Sequence, residues 1–213
     1  MSKKIVLLGE KDNFFHALKD RLERAGAIFT HDSADADITV GLGQYATNDL
    51  VDVAIIAEND DPRSGNLDQI KNAGLIIRIH DLMIPEGSQG WGPIDVEDWV
   101  EWIRVESLDL TPEIKPKHWV HIRDTTDAVS LLVMADTDAF AQGVIDLCGR
   151  RAWTPDAVIS EINLLWHRFT NAITNSHTVE SLSGIPSPAA IQYEGKRLRP
   201  DLQPLHEAMQ NAG

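Results

Sequence analysis

The chain opens on a short apolar segment that ends at a glycine, and this segment constrains the fold more than any other. Residues 5–9 read Ile-Val-Leu-Leu-Gly, a continuous apolar run typical of a central parallel strand that is buried on both faces. Apolar residues on one helical stripe then predict an amphipathic helix over residues 13–25. A second strand is predicted at 27–30. Because parallel strands need a crossover connection, this order predicts a right-handed βαβ unit.

Strand and helix patterns continue to alternate along the rest of the chain. Apolar runs predict strands at 36–40, 51–57, 75–79, 119–122 and 143–148. Helical spacing and helix-start signals predict helices at 67–73, 96–105, 125–135, 154–173 and 202–211. Alternation of this kind predicts an α/β fold with a mainly parallel sheet and flanking helices.

Composition and charge exclude several classes of partner. The chain of 213 residues has 19 Lys and Arg against 33 Asp and Glu, which gives a formal net charge of −14. Such an acidic protein is not expected to bind nucleic acid or an acidic membrane surface, since phosphate contacts need clustered basic residues. No apolar run approaches the roughly 20 residues of a membrane-spanning helix, and the N-terminal run is too short for a signal peptide. We therefore expect a cytoplasmic protein.

Cysteine usage adds one structural expectation. Cys148 is the single cysteine, so an intramolecular disulfide is excluded. Its neighbours are apolar, and the sequence therefore predicts a buried core thiol rather than a nucleophile.

One segment resembles a known family. Residues 119–128 read Trp-Val-His-Ile-Arg-Asp-Thr-Thr-Asp-Ala, which combine a short strand, a polar turn and the start of a helix. This segment resembles the F-V-H-V-x-D-V-A-x-A segment of extended short-chain dehydrogenases, the NAD-dependent nucleotide-sugar epimerase and dehydratase family. Four other stretches resemble segments of the same family in the same order: 51–57, 74–87, 143–161 and 193–205.

The resemblance implies a fold, a cofactor and candidate binding residues. It implies one Rossmann-like domain over 1–213, with a nucleotide-binding-like part at 1–110 and a small substrate-side C-terminal lobe at 111–213. NAD(P) is the family's cofactor, and a nucleotide or nucleotide sugar is its small-molecule partner. Positions that correspond to the family's cofactor site are Gly9, Asp12, Asp32 and Ala57. Candidate contacts to an anionic substrate are Arg78, Lys117 and Arg123.

The phosphate-binding glycines of the family are mostly missing. Its G-x-x-G-x-x-G pattern reads here as Gly9-Glu-Lys-Asp-Asn-Phe-Phe, so that Asp12 and Phe15 replace the second and third glycines. Those glycines let the backbone approach the pyrophosphate and let the helix pack on the strand. Asp12 would place a carboxylate at the anion-binding helix terminus. The sequence therefore predicts that conventional dinucleotide binding is lost.

The catalytic pair of the family is missing as well. The family uses Tyr-x-x-x-Lys on one helix face, whereas Tyr45 is followed four residues later by Asp49, and Tyr193 by Lys196 and Arg197 in an irregular tail. Only 16 residues separate Ala57 from Gly74, where the family places its active-site strand and helix. A deletion of that section explains the spacing, and it also removes the helices that form the family's usual dimer interface.

A few other residues are weaker candidates. His80 and Asp81 follow a predicted strand and could form an acid–base dyad, although strand-end polarity and helix capping are the favoured explanation. No ligand spacing supports a metal site. Asp124 and Thr125 are predicted to cap the helix that follows them. Trp91, between two glycines, is predicted to be exposed and could contact a partner or a sugar ring.

Three functional hypotheses remain open. The first is a degenerate epimerase-like protein without conventional NAD-dependent catalysis, which acts as a binding or scaffold subunit linked to nucleotide-sugar metabolism. The second is an active NAD(P)-dependent enzyme on nucleotide sugars with an atypical site. The third is a receiver-like phosphorylation domain with Asp52 or Asp60 as the acceptor, which fits the chain's length and its acidic residues poorly.

Overall fold

The structure is a computed structural model that describes residues 2–48, 50–59, 62–84, 90–92, 116–135 and 143–176. The chain divides into two compact units, of which the first combines Met1–Pro93 with His118–Arg150 and the second combines Ile94–Lys117 with Arg151–Gly213. The predicted boundary at 110/111 falls outside the described residues and stays a prediction.

The first unit contains a six-stranded parallel sheet. Its strands are β1 (Lys3–Leu8), β2 (Ala27–Phe29), β3 (Ile38–Leu42), β4 (Val53–Ala57), β5 (Leu75–Ile79) and, after the short strands described next, β8 (Gly143–Leu147). They are arranged in the order β2-β1-β3-β4-β5-β8, and every neighbouring pair is parallel. A separate parallel pair joins β6 (Leu82–Met83) to β7 (Val120–His121). The predicted α/β class with a mainly parallel, Rossmann-like sheet is confirmed.

Two α-helices of this unit and one of the second unit are described. These are α1 (Asn13–Arg24), α2 (Ile122–Met134) and, in the second unit, α3 (Pro155–Thr174). The connections between strands contain 3-10 helices at Ser33–Asp35, Gly43–Thr47, Pro62–Ser64 and Leu67–Gln69. No helix among the described residues is long and apolar enough to cross a membrane.

The main core lies between one face of the sheet and the helices α1 and α2. Alternate residues of the strands point to this face, as the two-residue period of a strand requires. The core includes Ile5, Val40, Ile55 and Ile77 from the strands, Phe14, Leu18 and Leu22 from α1, and Val129 and Val133 from α2. The opposite face carries a smaller cluster of Ala46, Val51, Ala54 and Ile56.

The ends of the helices are satisfied by specific side chains. Asp12 is the N-cap of α1, and Thr154 is the N-cap of α3, which has Pro155 in its first turn. Pro is favoured there because its missing N–H would have no partner within the helix. At the C-terminal end of α2, the ammonium group of Lys3 donates to the backbone oxygen of Val133 at 3.0 Å. This contact compensates a carbonyl that lacks an intrahelical partner.

Several local predictions were wrong. Helix α2 begins at Ile122 with His121 as its N-cap, whose Nδ1 accepts from the backbone N–H of Arg123. Asp124 and Thr125 therefore lie inside the first turn and do not cap it. The predicted helix over 67–73 is only the 3-10 turn Leu67–Gln69, and Cys148 is exposed. The predicted helices at 96–105 and 202–211 lie outside the described residues.

Candidate ligand-binding crevice

A crevice lies at the point where the strand order of the sheet reverses, between β1 and β3. From β1 the chain passes to β2 on one side, and β3 then pairs with the other side of β1. In open α/β sheets, ligands bind at the carboxyl ends of the strands at such a switch point. A cavity of about 380 Å³ lies here, lined by Glu10, Lys11, Asp12, Leu42, Gly43, Arg63 and Trp91. Its volume is near the lower end of the ~300–1,000 Å³ that is usual for ligand pockets.

The carboxylate of Asp12 is held by two hydrogen bonds at the start of α1. Its Oδ1 accepts from the backbone N–H of Phe15 at 2.8 Å, and its Oδ2 accepts from Nε1 of Trp91 at 2.7 Å. The N-terminus of a helix attracts anions through its unpaired N–H groups and its dipole. Here the protein's own carboxylate is the anion bound at that terminus.

Trp91 is buried across the crevice, so the prediction that it is exposed was wrong. Only 5% of its surface is accessible. Its ring packs on Phe14 with a centroid distance of 4.4 Å, and the preceding carbonyl oxygen of Gly90 accepts from Nδ2 of Asn59 at 3.0 Å. Apolar packing and hydrogen bonds together hold the indole beside the cavity.

Gly43 allows the end of β3 to approach the 3-10 helix Pro62–Ser64. Its φ is +56°, and a Cβ at this position would lie only 2.3 Å from the backbone oxygen of Arg63 and 3.7 Å from Cζ2 of Trp91. A residue with a side chain would therefore meet both an unfavourable backbone conformation and a backbone clash. The crevice wall depends on glycine at this position.

Gly9 and Phe15 pack closely at the junction of β1 and α1. A Cβ on Gly9 would lie 3.1 Å from Cδ2 of Phe15 and 3.0 Å from Cβ of Leu42. Phe15 is buried in the core. The bare backbone of Gly9 therefore leaves room for the aromatic ring of Phe15.

The remaining cofactor candidates have local structural partners. The side chain of Asp32 accepts from the backbone N–H of Ala34 at 2.9 Å and caps the 3-10 helix Ser33–Asp35. Asp32 is exposed just beyond β2. Ala57 ends β4 and is buried in the core. Neither residue lines the cavity as Asp12 does, and the cofactor-binding role of Gly9, Asp12, Asp32 and Ala57 stays a prediction.

Arg78 and His80 both contact the carboxylate of Asp146. Asp146 of β8 accepts from Nε of Arg78 at 2.5 Å and from Nη2 at 3.1 Å, and its Oδ1 lies 2.7 Å from Nε2 of His80. Glu58 lies 3.5 Å from Nη1 of Arg78. The hydrogen bond from Arg78 is the largest cause of a lowered pKa of the Asp146 carboxyl, and the hydrogen bond from His80 is the second. The hydrogen bond between Arg78 and Asp146 also raises the pKa of Arg78.

The other candidates are distributed over several elements. Oδ2 of Asp81 accepts from the backbone N–H of His118 at 2.7 Å, while the ring of His80 contacts Asp146. Arg123 is exposed in the first turn of α2. Lys117 belongs to the second unit, where its backbone forms an antiparallel bridge with Trp153. Among the described residues, no group of three His, Cys, Asp or Glu side chains has a metal-binding arrangement.

The position of Asp52 does not support its role as the phosphorylated residue of a receiver domain. Asp52 precedes β4, and its Oδ2 accepts from the backbone N–H of Thr39 at 2.7 Å. This is the amino edge of the parallel sheet, opposite the edge where ligands bind. Asp60 lies outside the described residues.

Sequence reasoning missed Asp146, Arg63 and the buried position of Trp91. One signal for Asp146 was present: the five-residue strands Leu75–Ile79 and Gly143–Leu147 each carry a charged residue of opposite sign at the fourth position. In-register parallel pairing places these two residues opposite each other. Arg63 and Trp91 reach the crevice through long-range packing, which no local pattern encodes.

The crevice does not fit the pyrophosphate of NAD(P) in the conventional manner. The N–H of Phe15 at the α1 terminus already donates to Asp12. A pyrophosphate at that terminus would also lie beside the carboxylates of Glu10 and Asp12, which line the same cavity. The residues at the start of α1 therefore do not fit NAD(P) bound in that manner.

Comparison with known proteins supports the fold. No protein-family model matches the chain, and no curated protein matches its sequence. Among solved structures, the chain is similar to the enzyme WbmH of Bordetella bronchiseptica, which was solved in complex with NAD+. The TM-score is 0.54 at 10% sequence identity, and the match covers 99% of this chain and 98% of that chain. The protein is thus a Rossmann-like α/β protein, and this likeness concerns its fold alone.

Proposed function

We propose that the protein is a degenerate, non-catalytic relative of the nucleotide-sugar epimerases and dehydratases, which works as a binding or scaffold subunit. The observation that carries the proposal is the contact between Asp12 and Trp91. A carboxylate caps the helix terminus that would bind the cofactor's pyrophosphate, and an indole packs across the same crevice. A dinucleotide would have to displace groups that also stabilise the fold.

The short connection between β4 and β5 supports the same proposal. Its described residues form only the 3-10 helices Pro62–Ser64 and Leu67–Gln69. Tyr45, the one tyrosine among the described residues, lies on the 3-10 helix Gly43–Thr47 and is exposed. A Tyr-x-x-x-Lys pair needs a little over one turn of regular α-helix to place both side chains on one face. Loss of catalysis then accompanies loss of the phosphate site.

Calorimetric titration of the full chain with NAD+, NADH, NADP+ and NADPH tests the proposal. We expect no binding in the micromolar range for any of the four. A thermal-shift series with the same cofactors gives an independent readout, because a ligand at one hundred times its Kd raises stability by about 2.7 kcal/mol. Micromolar binding of any one of them would overturn the proposal.

A second candidate is an active NAD(P)-dependent enzyme on nucleotide sugars with an atypical site. Two observations favour it: the overlap along nearly the whole chain with an enzyme solved with NAD+, and the position of Asp32 just after β2, where an acid can accept from a ribose hydroxyl. Mass spectrometry of the purified protein under native conditions checks it. A copurifying dinucleotide supports the enzyme, and a ligand-free mass supports the binding subunit.

A further inference from the structure

The two edge strands of the six-stranded sheet differ in length and in protection. One edge is β2, which has only three residues, and the other is β8, which has five. The unpaired backbone of an edge strand can pair with another chain, and proteins often prevent this with a very short edge strand or with Lys or Pro on the edge. β2 is protected by its shortness, whereas β8 is longer and contains neither Lys nor Pro.

Two residues of β8 direct their backbone groups away from the sheet. The N–H of Gly143 donates to the backbone oxygen of Gly74 at 3.0 Å, which fixes the side of β8 that faces β5. Because successive residues of a strand direct their N–H and C=O groups to opposite sides, those of Val144 and Asp146 point away from β5. Within the described part of the chain, no strand pairs with that side. Val144 and Asp146 therefore each present a donor and an acceptor to a further strand.

The side chains at this edge are mostly apolar, and the charges of β5 and β8 cancel. Val144 is 48% exposed, and Ile145 is half-buried against the main core. The one charged residue of β8, Asp146, forms an ion pair with Arg78, the one charged residue of β5. Glu58, which also contacts Arg78, follows β4 on the far side of β5. The edge is thus locally neutral, although the whole chain has a formal net charge of −14.

We propose that β8 pairs in antiparallel orientation with β8 of a second copy of this chain, about a two-fold axis at Ile145. Val144 of each copy then lies opposite Asp146 of the other, and each such pair exchanges both of its N–H···O bonds. Ile145 lies opposite its own counterpart in the closer, non-hydrogen-bonded type of pair, where β-branched side chains stabilise each other.

The charge pattern of the edge fits a second copy. Under the two-fold axis each Asp146 lies opposite an uncharged valine, and its charge is balanced by Arg78 of its own copy. A two-fold contact is also closed, so that it forms a dimer rather than a fibre. Two paired strands of five residues bury less than the roughly 1,200–2,000 Å² of a stable interface. The expected dimer is therefore weak and reversible.

Analytical ultracentrifugation of the full chain over a range of concentrations tests the dimer. At physiological salt, concentrations up to about 0.5 mM reveal a dimer with a Kd below about 1 mM. We expect a reversible equilibrium between monomer and dimer. A chain that is monomeric at every concentration would overturn the proposal.

A pair of charged variants at Val144 tests the register. Val144→Asp places a carboxylate opposite Asp146 of the second copy, whereas Val144→Lys places an ammonium group there. Since both contacts occur twice in the dimer, the Kd of Val144→Asp should exceed that of Val144→Lys by about tenfold. Leu131→Asp and Leu131→Lys are the matched controls for net charge, because Leu131 is 71% exposed on α2. The two control variants should dimerise alike.

Cysteine crosslinking locates the two-fold axis. The single natural cysteine, Cys148, is exposed and is first replaced by serine. Ile145→Cys in that background places two thiols on the axis, with Cα atoms about 4.5 Å apart, which a disulfide can span. Val144→Cys is the control, since its diagonal separation of roughly 7–8 Å is too long. Mild oxidation should crosslink the Ile145→Cys variant much faster.

Two further results would contradict the pairing of β8 even if a dimer forms. Equal dimerisation of Val144→Asp and Val144→Lys, or an equal difference between the two Leu131 variants, would place the contact elsewhere. Equal crosslinking of Ile145→Cys and Val144→Cys would exclude an axis at Ile145. Circular dichroism confirms that each variant is folded, and the exposed position of Val144 keeps the charge test valid if Ile145→Cys does not fold. The inference is independent of the proposed function, because β8 does not line the crevice.

Discussion

Nε1 of Trp91 donates to Oδ2 of Asp12 at 2.7 Å, which joins residues that are 79 positions apart in the chain. The same carboxylate caps α1 through Phe15. One side chain therefore links the start of the first helix to the segment that narrows the crevice. The start of α1 and the position of the indole beside the cavity therefore depend on the same carboxylate.

Asp12→Ala should lower the free energy of unfolding by about 1–3 kcal/mol, because it removes an N-cap and leaves the buried indole N–H without its acceptor. Urea unfolding followed by circular dichroism measures the change. Asp12→Asn should lose less, since its amide oxygen still accepts from the backbone N–H of Phe15, whereas its NH2 group cannot accept from Nε1 of Trp91. A loss in Asp12→Asn as large as in Asp12→Ala would show that the N-cap bond to Phe15 contributes little.

Gly43→Ala should be strongly destabilising, by about 2 kcal/mol or more, because the new Cβ would meet the Arg63 carbonyl oxygen at 2.3 Å with φ at +56°. Gly74→Ala provides the contrast. A Cβ there would have its nearest neighbour at 3.9 Å, with no positive φ. Thermal unfolding of both variants tests the difference, and equal melting temperatures would contradict the described approach of β3 to Arg63.

The Asp146 carboxyl should give a stability contribution that depends on pH. Its pKa is lowered in the folded state, mainly by Arg78 and then by His80, so the contribution is present above the unfolded pKa of about 3.9. It is lost as the pH falls through the folded pKa. Asp146→Asn should therefore be less stable than the natural chain at neutral pH, with a gap that narrows in acid.

The expected gap for Asp146→Asn is small, because Asp146 is about half exposed and surface ion pairs contribute little. Urea unfolding at several pH values measures it. A gap that stays constant between pH 7 and strongly acidic conditions would contradict the role of the ion pair.

Thr125→Val should leave stability unchanged or raise it by about 1 kcal/mol. Thr125 is fully buried in α2, and its hydroxyl has no hydrogen-bond partner within the described part of the chain. A methyl group of similar size removes an unsatisfied polar atom from the core. Thr126→Val is the matched control, since its hydroxyl donates to the Arg123 carbonyl at 3.0 Å. Greater destabilisation by Thr125→Val than by Thr126→Val would indicate an unidentified partner.

Local sequence patterns predicted the elements that are stabilised by local contacts or that are fully buried in the core. The helix over 13–25 and the strands near 5–9 and 75–79 were found because hydrophobic periodicity reports burial directly. The start of α2 was placed three residues late, because a histidine cap is an uncommon signal.

The amino-acid sequence alone was sufficient for the α/β class, for the positions along the chain of the six strands of the main sheet and of α1, α2 and α3, and for the absence of a G-x-x-G-x-x-G pattern after β1. These features depend on contacts between near neighbours and on burial, both of which leave a periodic signature. Tertiary structure alone decided that Trp91 is buried on Asp12, that Arg78 and His80 share Asp146, and that Cys148 is exposed. Such contacts join residues far apart in the chain, and their energies depend on a distance that only the folded sheet establishes.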